Sequence, residues 1–463
     1  MASQQRPSLY FKVYVRWRPT SEGESSAPEM ERSVSQQGAK QCITLSSQLS
    51  SNRCRTWKSG ASFAQVFPAN ATNSGVFTDV VTPMFPQVMD GGTCNIFAYG
   101  HSGSGKTHTI IGYDYEDDQQ LGLCLSAAHN LFHVIEKINV EIHMNRNDRQ
   151  ANKELLGVAV RLYEVRGKCA YDLLNKGMEC HVREGADGRT YIRGQTEVLE
   201  NGKVRVRPVI ARPCWSFAEL RTVFLARLGM RKTGSSSIHD DSSRTHAVLE
   251  LEIINKASLE LRNAVIERES ELVPVGKRAT DIYLEEHKKT LIRTPEGKLV
   301  PDPEIPLNQE RIDAAEAEKT EYENRLKAAE DAVAEYFEAR QYPCLGGKFV
   351  FVDLAGSEYF DRGNDVSVAA PKQTLLERQQ GRQINTDLFA LKEVIRARAL
   401  GQARTPFRSS PLTMILRSHF LVTNKAQSAM ILTVSPSELQ FAATLNTLKY
   451  GNLVAVAGEN MQK

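Results

Sequence analysis

Residues 100–107 read GHSGSGKT. Gly100 and Gly105 bracket His101, Ser102, Gly103 and Ser104, and Lys106 and Thr107 follow. That spacing suits a loop that cradles phosphate. Glycines let the chain turn tightly, so that successive backbone N–H groups point at phosphate oxygens. The start of a following helix adds its positive end. In such a loop Lys106 reaches the β- and γ-phosphates and the Thr107 hydroxyl ligates Mg²⁺. A chance match in a glycine-rich turn is the bland alternative.

A loop of this kind works with an acidic residue for the metal and a group that senses the γ-phosphate. Residues 349–358, FVFVDLAGSE, end an apolar run in Asp353, and Gly356 has no side chain to block a close approach to phosphate. Alone, DLAG could be a helix cap or a turn. Residues 242–246, SSRTH, set two hydroxyls beside a guanidinium ahead of another apolar run. Alone, that is an ordinary polar loop.

These groups need a scaffold. Asn95–Tyr99 reads as a short buried strand ending at the glycine loop, and Thr107–Ile111 opens a helical pattern. Leu9–Trp17, Leu156–Tyr163, Ala247–Ile254, Lys348–Val352 and Ala429–Val434 read as further strands. Helical patterns alternate with them, notably Phe217–Leu228 and Leu375–Ala399, which predicts a mainly parallel or mixed sheet flanked by helices. Residues 20–60 are polar and read as loops and short strands.

Residues 256–345 break the rhythm. A charged stretch is followed by four prolines in 294–306, which interrupt any helix. In 308–341, Tyr322, Leu326, Ala329, Val333 and Tyr336 recur at helical spacing. The stripe suits a helix packed on its own chain better than a coiled-coil seam, since it is short and rich in Ala and Tyr.

The 463 residues carry 58 basic and 55 acidic side chains, a net charge of +3. A surface built throughout for polyanions is excluded; a local basic face is not. The eight cysteines form no CxxC pair and read as thiols of a reducing compartment. No signal-peptide pattern and no long apolar run occurs, so the expectation is a cytosolic or nuclear protein with no membrane partner. An aromatic-basic reader motif is missing, so no nucleic-acid partner is expected.

GHSGSGKT, SSRTH and DLAGSE, in this order, resemble the motor domain of the kinesin family. RWRP at 16–19, YDLLN at 171–175, INTDLFALKEVI at 384–395, TPFRSSPLTMIL at 405–416 and TLNTLKYGN at 444–452 have counterparts there too. The resemblance covers about residues 9–255 and 346–455 and implies a P-loop NTPase fold of kinesin type, with 256–345 as an insertion and 456–463 as the start of a neck linker. It implies ATP/ADP and Mg²⁺ as ligands and ATP hydrolysis as the activity. Arg16, Pro19 and His108 would face the adenine. Ser243, with Thr107 and Asp353, would hold Mg²⁺, the latter two of Thr107, Ser243 and Asp353 through water. Ser242 would place the attacking water. Arg244 and Glu358 would pair as a gate between the two switch segments, and Glu358 would relay a proton. His239 stands where the family usually has Asn.

The family binds tubulin, whose surface is acidic, and the resemblance assigns that face to Arg183, Arg189, Arg193, Arg396, Arg398, Arg404, Arg408 and Arg417. Thr386 and Asp387 depart from the family's INKSL, and Pro411 and Met414 replace two cations. Microtubule binding that is weaker or more salt-sensitive than the family norm is expected. The implied function is an ATP-driven microtubule motor with cytoskeletal localisation and dimerisation through a downstream stalk. A non-stepping tether or end regulator is the first alternative, and a nucleotide switch for another partner the second. The insertion is expected to lie beside the neck path.

Overall fold

From Phe349 to Asp353 every residue is buried, and successive side chains enter two different cores. Phe349 and Phe351 join one; Val350 and Val352 join the other. A strand covered on both faces reads as an unbroken apolar run for this reason. The computed structural model describes residues 10–21, 24, 27–47, 55–117, 119–145, 152–185, 188–233, 244–293, 298–302, 304–357, 375–400, 402–421 and 426–459.

The strands are β1 (Tyr10–Trp17), β2 (Glu31–Gln37), β3 (Lys40–Ser47), β4 (Arg55–Lys58), β5 (Gln65–Phe67), β6 (Thr93–Tyr99), β7 (Leu156–Arg166), β8 (Cys169–Asp172), β9 (Met178–Glu184), β10 (Thr190–Val198), β11 (Val204–Pro208), β12 (Arg212–Cys214), β13 (His246–Asn255), β14 (Leu291–Arg293), β15 (Leu299–Pro301), β16 (Lys348–Asp353) and β17 (Ala426–Val434). The helices are α1 (Asn73–Val80), α2 (Phe85–Met89), α3 (Lys106–Ile110), α4 (Leu123–Asn145), α5 (Phe217–Thr233), α6 (Lys256–Lys289), α7 (Gln309–Glu338), α8 (Leu375–Ala399), α9 (Pro411–Leu421) and α10 (Phe441–Glu459).

The main sheet runs β11-β10-β9-β8-β7-β13-β16-β6-β17-β1-β5, with β12 pairing β7. From β16 to β5 neighbours are parallel; from β16 through β13 to β11 they are antiparallel. The expected mixed sheet is therefore present, parallel where the glycine loop leaves it. One core gathers Val76, Leu131, Phe132 and Phe224 from α1, α4 and α5. The other gathers Leu391, Leu412 and Leu448 from α8, α9 and α10. The polar residues before the loop form the small sheet β2-β3-β4. Among the described residues no helix is long and apolar enough to cross a membrane.

The charged stretch after β13 is a 34-residue helix, α6, which the residue pattern did not reveal. Pro274 and Gly276 sit inside it, both poor helix residues. It forms because its start is capped and its length is packed. Asn255 and Ser258 make a reciprocal capping box, and α7 returns antiparallel along it. Asn255 Nδ2 donates to the Tyr336 hydroxyl at 2.8 Å near the base. Arg278 pairs with Glu318 midway, and Arg311 reaches Glu285 at 3.0 Å near the tip. Tyr322, Leu326, Ala329, Val333 and Tyr336 are half-buried, and Ile312 and Ala315 are buried. The stripe thus serves contacts within the chain, and the connection after α6 carries the β14–β15 ribbon.

This helical hairpin sits on the β11 edge. Lys203 meets Glu271 at 2.9 Å and Arg205 meets Glu267 at 3.1 Å. Helix α10 packs on β1 and β17, nearer the opposite edge. Residues 456–459, expected to open a neck linker, continue α10 to Glu459; 460–463 lie outside the described residues.

Candidate nucleotide-binding site

Four parallel strands end around the loop: β6 before it, β1 with Arg16, β16 with Asp353 and β17 with Thr433. A crevice at the carboxyl ends of parallel strands is where α/β sheets bind ligands. Ser104 Oγ and Thr433 Oγ1, 2.7 Å apart and buried, tie the loop to β17. Gly105 caps α3 with φ 99°, a left-handed value that favours glycine. The helix is only five residues long, so its dipole is small. The anion attraction expected there rests on the loop N–H groups and Lys106.

Lys106 is buried, and its Nζ donates to the carbonyls of Gly100 at 3.1 Å and His101 at 2.8 Å. Burial lowers its pKa to about 8, with Asp353 opposing the shift. An anion beside it would restore the charged form. Thr107 Oγ1 donates to Asp353 Oδ2 at 2.7 Å, so the two expected metal ligands already touch. Gly356 lies against the loop: a Cβ there would stand 2.8 Å from Ser102 N. Ser357 N donates to Gly100 O at 3.1 Å, locking the DLAGS segment onto the loop.

His101 is buried, with Nδ1 2.7 Å from Ser102 O, and burial lowers its pKa to about 4. It is a neutral part of the loop wall. Arg16, Pro19, Ser102, Gly103 and His108 line one cavity of about 730 Å³ with the loop. Arg16, expected against the adenine, lines this cavity and engages its donors within the protein. It meets Asn73 Oδ1 at 2.6 Å, Thr109 Oγ1 at 2.9 Å and Ala71 O at 3.0 Å. Burial lowers its pKa to about 10. Its role here is to fix Asn73 and the first turn of α3. Tyr113, 56% exposed, places its ring 5.7 Å from that of His108 in the same cavity. Tyr113 lies in no sequence motif, and Arg18, also in the lining, lies inside RWRP but was given no role.

Ser242, Ser243 and Glu358 lie outside the described residues. Arg244 is half-buried just before β13. His246, the last letter of SSRTH, is a contact that sequence reasoning passed over. Its Nδ1 accepts from Ala355 N at 3.0 Å, and its Nε2 faces Asp387 Oδ2 at 3.9 Å. Burial, then Lys106, lowers its pKa to about 3. Asp387 is therefore no surface residue: it is buried on α8, and burial raises its pKa to about 6. His246 joins the strand after the first switch, the DLAG turn and α8.

The kinesin motor domain model matches residues 16–274 and 326–456. The chain belongs to the kinesin family. Members of that family are nucleotide-binding ATPases, and this motor domain carries their P-loop fold. Kinesin-like protein KIF24 of Homo sapiens and of Mus musculus are each 26% identical over 392 residues, which is 85% of this chain and 20% of theirs. The chain thus spans about a fifth of the length of those relatives. A kinesin motor ATPase solved in a study of mutants aligns with TM-score 0.56 and 19% identity over 96% of this chain and 99% of its own. A structure of a fast kinesin gives 0.54 and 22% over 96% and 91%. The Kar3-like kinesin from Ashbya gossypii gives 0.55 and 18% over 96% and 99%. The matched residues omit 275–325, the outer part of the α6–α7 hairpin.

The arginines assigned to a microtubule face in this kinesin domain fall into two groups. Arg183, Arg189, Arg193, Arg396 and Arg404 are exposed, and Arg398 is half-buried. Arg193 lies over the Tyr191 ring at 5.3 Å. Arg408 and Arg417 both pair with Glu184 at the end of β9. Thr386 is exposed, while Pro411 opens α9, where a proline lacking its N–H is well placed.

Proposed function

We propose that this kinesin domain hydrolyses ATP at the 100–107 loop and couples the cycle to microtubules. The supporting observation is the junction of Lys106, the Thr107–Asp353 pair and Gly356 at one point of the sheet edge. The donor set is all oxygen, hydroxyl and carboxylate, which fits Mg²⁺. Bound there, Mg²⁺ would neutralise phosphate charge; Thr107, Asp353 and Ser243 are the residues to hold it. Lys106 turns from the loop carbonyls to the β- and γ-phosphates. The Gly356 N–H donates to a γ-phosphate oxygen and carries the DLAGS segment with it. Ser242 positions the lytic water, Arg244 and Glu358 close over it, and Glu358 relays its proton. Catalysis of this type is positioning and charge stabilisation.

The output is proposed to be movement along microtubules, with Arg183, Arg189, Arg193, Arg396, Arg404, Arg408 and Arg417 facing tubulin. The second reading, a non-stepping tether or end regulator, is favoured by Glu184, which engages two of those cations within the domain. ATP turnover measured with and without microtubules tests the first step. Stimulation supports a microtubule-coupled ATPase; its absence points to a switch for another partner. A gliding assay then separates motor from tether.

A further inference from the structure

Cys169 on β8 and His181 on β9 are direct cross-strand partners, and Glu179 precedes His181 by two residues. Residues two apart on a strand share a face, so the pleat gathers a thiol, an imidazole and a carboxylate on one side of the ribbon. One ligand atom from each lies within 4.8 Å of the others. The Cys169 thiol donates to Glu179 Oε1 at 3.0 Å. Among the described cysteines, Cys169 alone is not buried.

We infer that Cys169, Glu179 and His181 form a binding site for a borderline-soft divalent cation of the zinc type. Sulfur, nitrogen and oxygen donors together suit zinc; Mg²⁺ and Ca²⁺ ask for oxygen alone. Zinc–ligand bonds of about 2.0–2.3 Å in a tetrahedron set donor atoms about 3.5 Å apart. The three donor atoms already lie within 4.8 Å of one another, on backbones that strand pairing fixes. The exposed side of the ribbon leaves the fourth position to water.

Burial, with the Glu179 contact, raises the Cys169 pKa to about 11, so the free site holds a thiol. Binding forms a Zn–S bond, breaks S–H and releases that proton to the buffer. The ribbon gains one unit of positive charge. Affinity therefore rises with pH. The site lies apart from the nucleotide loop, and none of its residues belongs to the ATP machinery.

Cobalt titration of the intact domain tests this. One equivalent of Co²⁺ is expected to give a thiolate-to-cobalt charge-transfer band that Zn²⁺ abolishes. Cys169→Ser is expected to lose the band while keeping its circular dichroism and basal ATP turnover. His181→Gln and Glu179→Gln are expected to retain the thiol but bind roughly tenfold or more weakly. No band in the native domain, a band that survives Cys169→Ser, or unchanged affinity in both other variants would overturn the assignment.

Discussion

Glu184 holds two arginines of the neighbouring segment at once: Arg408 at 2.6 and 2.8 Å, and Arg417 at 3.0 Å. The bidentate Arg408 contact, first, and Arg417 lower the Glu184 pKa to about 2, so the carboxylate stays ionised across the working range. Two cations thus share one anion. Replacing Glu184 with Gln keeps the shape of the side chain and releases both positive charges toward an acidic partner. Microtubule affinity is expected to rise about two- to fivefold at low salt, as suits exposed, solvent-screened charges, and to fall more steeply as salt is added. Co-sedimentation across a salt series measures this. Weaker binding in Glu184→Gln would mean that the carboxylate orients the arginines for tubulin instead of withholding them.

Lys106 is the buried cation of the loop, and nothing else described there can carry a positive charge to the same carbonyls. Lys106→Ala is expected to lower ATP turnover by on the order of 10²–10³, the usual cost of losing one preorganised electrostatic contact. The fold should persist, since the side chain is held by two loop carbonyls and not by the core. Steady-state phosphate release with thermal melting as a control checks both halves. Turnover within a few-fold of the native domain would remove Lys106 from the catalytic set.

The legible parts of this chain were those where one residue type has one use. The GHSGSGKT spacing and the apolar β16 run located the loop, its strands and Asp353, because only glycine turns so tightly and only a strand buried on both faces is apolar throughout. Arg16 was placed at the cavity it lines, but its partners Asn73 and Thr109 lie 57 and 93 residues away, and no local pattern announces such contacts. Asp387 was read as a departure from the family's INKSL on the partner face; its burial beside His246 is a tertiary fact. Helix α6 was hidden by Pro274 and Gly276, whose local cost is outweighed by packing on α7 and β11.

Asp387 also sets a pH dependence. Its folded pKa of about 6 lies above the ordinary 3.8, so the folded state holds the proton more tightly than the unfolded state does. Below about pH 4 the group is protonated in both states and costs nothing. As pH rises from about 4 to 6 the folded chain must ionise a buried carboxylate, and stability falls. Asp387→Asn retains the acceptor oxygen for Gln383 and removes the ionisation. It is expected to gain on the order of 2–3 kcal/mol at pH 7.5, from about two pKa units, and little near pH 4. His246 works in the opposite sense: its pKa is lowered to about 3, so its contribution is lost as pH falls from about 6.5. That acid limb should remain in Asp387→Asn. Urea unfolding at pH 5 and 7.5 separates the two; an equal gain at both would assign the effect to packing.

The α6–α7 hairpin makes two different kinds of contact, and they can be removed separately. Its base is part of the motor core: Arg262 pairs with the buried Glu252 at 2.7 Å and lies over the Phe337 ring at 5.0 Å. Its outer part, 275–325, holds mainly its own pairs, such as Arg278 with Glu318 and Arg311 with Glu285. Val273 and Leu326 lie on the paired helices α6 and α7 and line the same cavity, and a short Gly/Ser linker is to join the two cut ends. Replacing 275–325 by such a linker should leave basal ATP turnover within about twofold, because loop length is thermodynamically cheap. Removing 258–343 instead takes Arg262 from Glu252, which loses one partner of a buried ion pair. A cost of about 3 kcal/mol or less is expected, since Arg161 and Lys348 also reach Glu252. Chemical denaturation of the two deletions side by side measures the difference. Equal stability would mean that the base of the hairpin contributes nothing to the core, and a loss of turnover in the shorter deletion would tie the outer hairpin to the nucleotide cycle.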